Sequence, residues 1–412
     1  MSSARRAITL ILLAGVFVME GYDINAMALA VPRLEGALGL EAASFGLVFT
    51  ALLVGIGVGG ALLAPYGDRF GRRLLIVLGC LATGAFTLAT ASATTVTGFL
   101  VWRALTGIAL GAALPNVSAL SAELASEKTR ATVMAVVSAG IPLGLALAGI
   151  LAPMVVAMAG WHGLFMVPGG FALLLAAALW LVLEGGLPSA KGEAQTRAVT
   201  TRSSAPQLDL FRQPWVLPFA VFSLMLALNA ANLYLLSSWI PTVLPQAGFS
   251  IDLSARISGI VQFVGLGIGV LASIGIDRWK PGPTLMLMFG AMAASFLVVS
   301  LSAPDAMRWT LLLGIGVGGA SAGGMALPAL CAHLFTGRQL SSAIGMGVLV
   351  ARLGAFMGPL IGQALLNAGA APSTFFLVAA IPAALCVLVA LAVPAALLVK
   401  KREETAAAAV SA

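Results

Sequence analysis

WRALTGIALG (Trp102–Gly111) and WTLLLGIGVG (Trp309–Gly318) are one phrase written twice in this chain. The tryptophan and both glycines coincide at a constant offset of 207 residues, and Asp68-Arg69 matches Asp277-Arg278 loosely at nearly the same spacing. Each phrase opens an apolar run long enough to cross a bilayer, which takes roughly 20 residues. Read outward from these two, the chain holds twelve such runs, at about 7–31, 42–65, 74–94, 97–122, 132–158, 163–183, 214–240, 254–275, 283–302, 309–334, 341–367 and 374–399. The expected fold is an all-α membrane protein: twelve transmembrane helices in two pseudo-symmetric six-helix halves, repeated about an axis along the membrane normal. The halves cover 1–184 and 214–400. Between them, residues 185–213 are rich in Ser, Thr, Ala and charge and read as a flexible cytoplasmic linker. The Ala-rich stretch 401–412 reads as a disordered cytoplasmic tail.

Composition agrees. The 412 residues are 60% hydrophobic and 9% charged, with a mean hydropathy of +1.05. Soluble domains carry about 25% charged residues, so a soluble enzyme and a disordered chain are both excluded. The net charge of +7 does not mark a nucleic-acid partner. Its cations sit in short clusters between apolar runs, which is how topology is written. With the N-terminus inside, most of the 22 Lys and Arg fall on the cytoplasmic side, and only Arg33, Arg256 and Arg308 lie outside. Both termini are therefore expected in the cytoplasm, in a multi-pass protein of the inner (plasma) membrane. The first run follows Arg5 and Arg6 but carries Glu20 and Asp23 and lacks a convincing small-residue cleavage site. It reads as a retained helix and not a signal peptide. Cys80, Cys331 and Cys386 all sit inside apolar runs, where they read as small packing residues and not as a disulfide or metal framework.

Four charges stand where an apolar side chain would be expected: Glu20 and Asp23 in the first span, Arg103 in the fourth and Arg352 in the eleventh. Each costs about 2.5–3.5 kcal/mol on insertion scales, so each is a functional candidate. Glu20 and Asp23 are three apart and project from one helical face. Their mutual repulsion and the dry surroundings both favour the protonated form, which suits them to proton coupling. The other reading is a pair of structural acids capping a break at Gly21. Arg103 and Arg352 keep their charge and must meet an anion: either these acids or a substrate carboxylate, which a guanidinium fork can orient as well as neutralise. At the repeat offset they align with Thr310 and Leu145, so neither belongs to the symmetric scaffold. Asn229, Asn232, Tyr234 and Ser237 in the seventh span and Gln262 in the eighth are candidates for contacting a substrate, or else for hydrogen bonds that hold helices together.

GDRFGRR (Gly67–Arg73), after the second span, resembles the signature loop of the major facilitator superfamily, with Ala64 and Tyr66 departing from the G-x-L-A-D-R-x-G-R-R pattern. By that resemblance the loop gates: Asp68, Arg69 and Arg72 would work with charges such as Glu123 and Arg130, or with a helix terminus. Within the superfamily the chain is most similar to the aromatic acid:proton symporters. Their first helix carries D-G-[FY]-D, and here it reads EGYD (Glu20–Asp23). Further likeness lies in Arg103, Gly107 and Gly111 with Pro115 and Glu123, in YLLSSWIP (Tyr234–Pro241), and in ARLGAFMGPLIG (Ala351–Gly362). The resemblance implies a transporter and not an enzyme: proton-coupled uptake of a small aromatic carboxylate such as benzoate or 4-hydroxybenzoate by alternating access. In such carriers Asp23 would hold the proton, with Glu20 beside it, and Arg103 and Arg352 would lie near the substrate carboxylate. No cofactor is expected beyond the coupling proton, and the expected state is a monomer in the lipid bilayer. The competing readings are transport of another small organic acid, drug/proton antiport, or a non-transporting sensor of aromatic acids. For a sensor, the linker and the tail are short.

Several motifs point elsewhere and are discounted. GIGVGG occurs at Gly55–Gly60 and Gly314–Gly319 and satisfies a dinucleotide pattern, but mid-span it reads as close helix packing. Gly319–Gly323 matches G-x-S-x-G around Ser321 with no base in obvious reach, His333 lying some three turns along the same helix. Two lone histidines, His162 and His333, make no metal site. Gly354–Gly362 resembles the G-x3-G-P-x2-G of drug antiporters, but in the eleventh span instead of the fifth, where Gly140, Pro142 and Gly144 stand.

Overall fold

Inside a bilayer each backbone N–H and C=O must find its partner within the segment, and this chain answers with helices. The computed structural model describes residues 3–126, 129–183, 210–335 and 337–411, and among them no strand occurs. The helices are α1 (Ser3–Leu38), α2 (Gly46–Leu62), α3 (Tyr66–Phe70), α4 (Arg72–Thr90), α5 (Val96–Leu124), α6 (Arg130–Ser138), α7 (Gly140–Ala159) and α8 (Gly163–Val182). They continue with α9 (Val216–Gln246), α10 (Ile251–Arg278), α11 (Pro281–Leu301), α12 (Ala306–Leu334), α13 (Gly337–Asn367), α14 (Pro372–Ala390) and α15 (Val393–Ser411).

Eleven continuous segments among the described residues are long and apolar enough to cross a membrane. One of them, Val136–Val182, runs for 47 residues and holds two crossings. It turns at the 3₁₀ segment Gly160–His162, where Gly160 takes a φ of 62° that favours glycine. Among the described residues this makes twelve apolar helical stretches, in keeping with the twelve expected. Local chemistry sets several ends. Thr95 and Asp305 accept from the backbone N–H of Gly98 and Arg308, capping α5 and α12. Pro281 and Pro372 occupy first helical positions, where a missing N–H costs nothing.

The chain divides into two compact units. One comprises Met1–Arg202 with Ser238–Pro245 and Phe249–Ile260; the other comprises Ser203–Ser237, Gln246–Gly248 and Val261–Ala412. The boundary thus departs from the 184/214 division read from the linker, since the end of α9 and the start of α10 cluster with the first unit. Most of the expected linker, residues 185–209, lies outside the described residues. In the first unit, Arg33 on α1 pairs with Asp252 on α10 at 2.8 Å. The tail differs from expectation as well: α15 stays helical to Ser411, consistent with alanine's place as the best helix former.

Small residues bring the helices together. Gly55 and Gly59 of α2 lie against Ala104–Ile108 of α5, where a Cβ at Gly55 would meet the Ala104 carbonyl oxygen at 2.5 Å. A Cβ at Gly107 would strike the Leu52 carbonyl in return. The first GIGVGG is therefore a packing seam. Likewise α1 runs unbroken through Gly21, which abuts the Ile141 backbone of α7 and leaves no break for an acid to cap. These seams hold α2 against α5 and α1 against α7.

Candidate functional site

Helix α1 carries Glu20 and Asp23 on one face, and both are buried. Asp23 is 0% and Arg103 is 1% exposed. Arg103, two turns into α5, aims its guanidinium at Asp23. Its Nη1 donates to Oδ1 at 2.9 Å and to Oδ2 at 2.8 Å, while Nη2 donates to the Asp23 main-chain carbonyl at 3.0 Å. The fork thus closes on the side chain and the backbone of a single residue. Thr87 on α4 adds a fourth bond, its hydroxyl donating to Oδ1 at 3.0 Å. Three helices converge on one carboxylate, and Asn25 ties α1 to α7 by donating to the Leu145 carbonyl at 2.8 Å.

In a dry interior such a pair is held by a strong attraction set against a large desolvation cost. Removing one member leaves a naked charge and costs about 3–5 kcal/mol. Arginine does not give up its proton. The pair can therefore open only if Asp23 is neutralised by a proton, or if another anion takes its place on the fork. An anion that grips both Nη1 and Nη2 must displace Asp23.

The second unit holds the other candidates. Arg352 on α13 is half-buried and makes no ion pair among the described residues. Asn229 donates through Nδ2 to the Ala320 carbonyl of α12 at 3.0 Å, and Asn232 to the Ala379 carbonyl of α14 at 2.8 Å. Both amides serve as interhelical ties. Gln262 on α10 accepts from the Ser321 hydroxyl at 2.6 Å, which gives that serine a role other than the nucleophile its G-x-S-x-G surroundings suggest. Tyr234 and Ser237 are half-buried on α9.

The signature loop spans the short helix α3 and the start of α4, joined at Gly71. Its φ of 95° lies where glycine is favoured, and it separates α3 from α4. Arg72 bridges two acids: Nη2 reaches Asp68 Oδ1 at 3.2 Å, and Nη1 reaches Glu123 Oε1, at the end of α5, at 2.5 Å. Arg69 stacks over Phe70. Arg130 begins α6, and its side chain lies outside the described residues.

Residues read above only for topology, or not at all, join these sites. Thr87 is one. Asn116 is another: it donates to the Ala64 and Ala112 carbonyls and so fastens the signature loop to α5. Arg5 donates to the Val182 carbonyl, and Arg73 to the Trp180 carbonyl, capping the C-terminus of α8. No group of three or more metal-ligating side chains occurs among the described residues.

Comparison with known proteins decides the family. The sequence profile described as "Major Facilitator Superfamily" matches residues 11–335. The chain belongs to the major facilitator superfamily. It is a membrane transporter and not an enzyme. It is 28% identical over 387 residues to the 4-hydroxybenzoate transporter PcaK of Acinetobacter baylyi, covering 85% of this chain and 83% of that protein. It is 30% identical over 369 residues to the 3-(3-hydroxy-phenyl)propionate transporter of Escherichia coli, covering 89% of each. The crystal structure of a D-xylose-proton symporter superposes with a TM-score of 0.73 at 19% identity, over 95% of this chain and 97% of that one. That last likeness concerns the fold alone.

Proposed function

We propose that this transporter carries a small aromatic carboxylate, benzoate or a hydroxybenzoate, into the cell together with a proton by alternating access. The observation that carries the reading is the buried Asp23–Arg103 pair. In the empty carrier Asp23 occupies the guanidinium fork. A proton arriving at Asp23 frees Arg103, and the substrate carboxylate takes the fork in its place. Release of substrate and proton on the far side lets the pair re-form. Binding of the anion and binding of the proton are thereby coupled through one arginine, and neither moves alone at low energy.

The electrostatics suit uptake. An inside-negative potential opposes entry of an anion by about 2.3 kcal/mol per charge per 100 mV, and a co-transported proton cancels that cost. Glu20, one turn from Asp23 on the same face, is a second proton site in this scheme. Arg352 is a second candidate cation for a substrate carboxylate. Asn229, Asn232, Tyr234, Ser237 and Gln262 are the candidate polar contacts for a ring substituent, and the two asparagines and Gln262 are engaged between helices in this state. Arg72, with Asp68 and Glu123, gates on the cytoplasmic side. The substrate class follows the relatives, whose names specify hydroxylated aromatic acids. The carrier works as a monomer in the inner membrane, both termini cytoplasmic, with the proton as coupling ion and no cofactor.

Uptake of labelled 4-hydroxybenzoate into proteoliposomes tests the proposal. Accumulation above the external level under an inward proton gradient, collapsing with a protonophore, is expected. Equal accumulation with and without the gradient would refute proton coupling.

A further inference from the structure

The turn between α10 and α11 reads Arg278-Trp279-Lys280-Pro281. Trp279 is 77% exposed, an uncommon state for the largest side chain unless it meets something other than water. Beside it lies a groove of about 330 Å³ lined by Trp279, Lys280, Pro283, Thr284 and Leu287. The last three share one face of α11, and Leu287 is 69% exposed. The same face continues deeper as Ala291 and Ala294, both exposed and too small to fill a furrow, and then Val298. An apolar track therefore leads from the end of the helix into the span.

Its mouth is cationic. Arg278 and Lys280 flank the tryptophan, both exposed, and among the described residues the Lys280 ammonium meets no acid. The nearby acid, Asp277, is engaged by His333 of α12 at 3.3 Å. A tryptophan at headgroup level, basic side chains at the membrane surface and an apolar furrow below them match the three parts of a lipid: glycerol backbone, anionic head and acyl chain. A soluble anion would use the mouth and leave the furrow unfilled. A zwitterionic lipid would fill the furrow and gain little at the mouth.

We propose that this groove holds one anionic phospholipid, its phosphate beside Lys280 and Arg278 and an acyl chain laid along α11 past Leu287. The site lies within the second unit and does not depend on which substrate the carrier moves.

Native mass spectrometry of the full-length transporter in detergent, titrated with phosphatidylglycerol or with phosphatidylcholine of the same chains, tests it. One phosphatidylglycerol is expected to stay bound at concentrations where phosphatidylcholine does not. Lys280→Gln should weaken that binding roughly fivefold, and Lys280→Gln with Arg278→Gln about 25-fold, since each basic residue near an anionic lipid contributes about one such factor. Leu287→Trp, which fills the furrow and keeps both charges, should weaken it as well. All three positions are exposed, so the variants should fold. Equal retention of the two lipids, or unchanged phosphatidylglycerol binding in Lys280→Gln, would overturn the proposal. So would full competition by inorganic phosphate, which would make the site one for a soluble anion.

Discussion

Arg103 holds Asp23 twice over: Nη1 contacts both carboxylate oxygens and Nη2 the main-chain carbonyl of the same residue. The donors that would orient a substrate carboxylate are thus occupied in this state. Arg103→Lys keeps the charge and loses the fork. It should weaken equilibrium binding of 4-hydroxybenzoate by about tenfold or more, a loss of roughly 1.4 kcal/mol, measured by isothermal titration. Unchanged affinity would make Arg103 purely structural.

The pair should also be coupled energetically. Arg103→Gln strands a buried carboxylate and should cost about 3–5 kcal/mol if Asp23 stays ionised. Adding Asp23→Asn removes the stranded charge. The double variant should therefore be more stable to heating than Arg103→Gln alone, as a thermal unfolding comparison would reveal. Simple additivity of the two losses would contradict direct coupling.

Thr87 tests the third contact. Thr87→Val deletes a hydrogen bond to a charged acceptor at nearly constant volume, an interaction worth about 1.5–3 kcal/mol. It should lower both thermal stability and gradient-driven uptake, and Thr87→Ser should restore both. Failure of serine to rescue would mean that the methyl group, not the hydroxyl, is what the site needs.

The proposed gating residues make a different prediction. Arg72 ties Asp68 to Glu123 across the hinge at Gly71 and lies away from the Asp23 cluster in sequence. Arg72→Gln should slow transport several-fold while leaving equilibrium substrate binding unchanged. A parallel loss of binding would place Arg72 at the substrate site instead.

Much of this was legible in the sequence because a bilayer leaves few choices. Apolar length gave the crossings, and the phrases at Trp102 and Trp309 exposed the repeat. Charges at positions 20, 23, 103 and 352 stood out because hydrocarbon penalises them. What could not be read was pairing. Nothing in the spacing says that Arg103 meets Asp23 and not Glu20, since that depends on the rotation of α1 against α5. Thr87 and Asn116 were missed for a related reason: a single threonine or asparagine in an apolar span looks like any other helix tie until its partner is known. The helical tail was misjudged because alanine repeats look featureless, although alanine favours helix on its own.

The central claim is that Asp23 exchanges Arg103 for a proton, and Asp23→Asn tests it most directly. In proteoliposomes the variant should still exchange labelled for unlabelled 4-hydroxybenzoate across the membrane, because an uncharged side chain leaves Arg103 free for the anion. It should not accumulate substrate under an inward proton gradient. Gradient-driven accumulation at the wild-type level in Asp23→Asn would contradict the account.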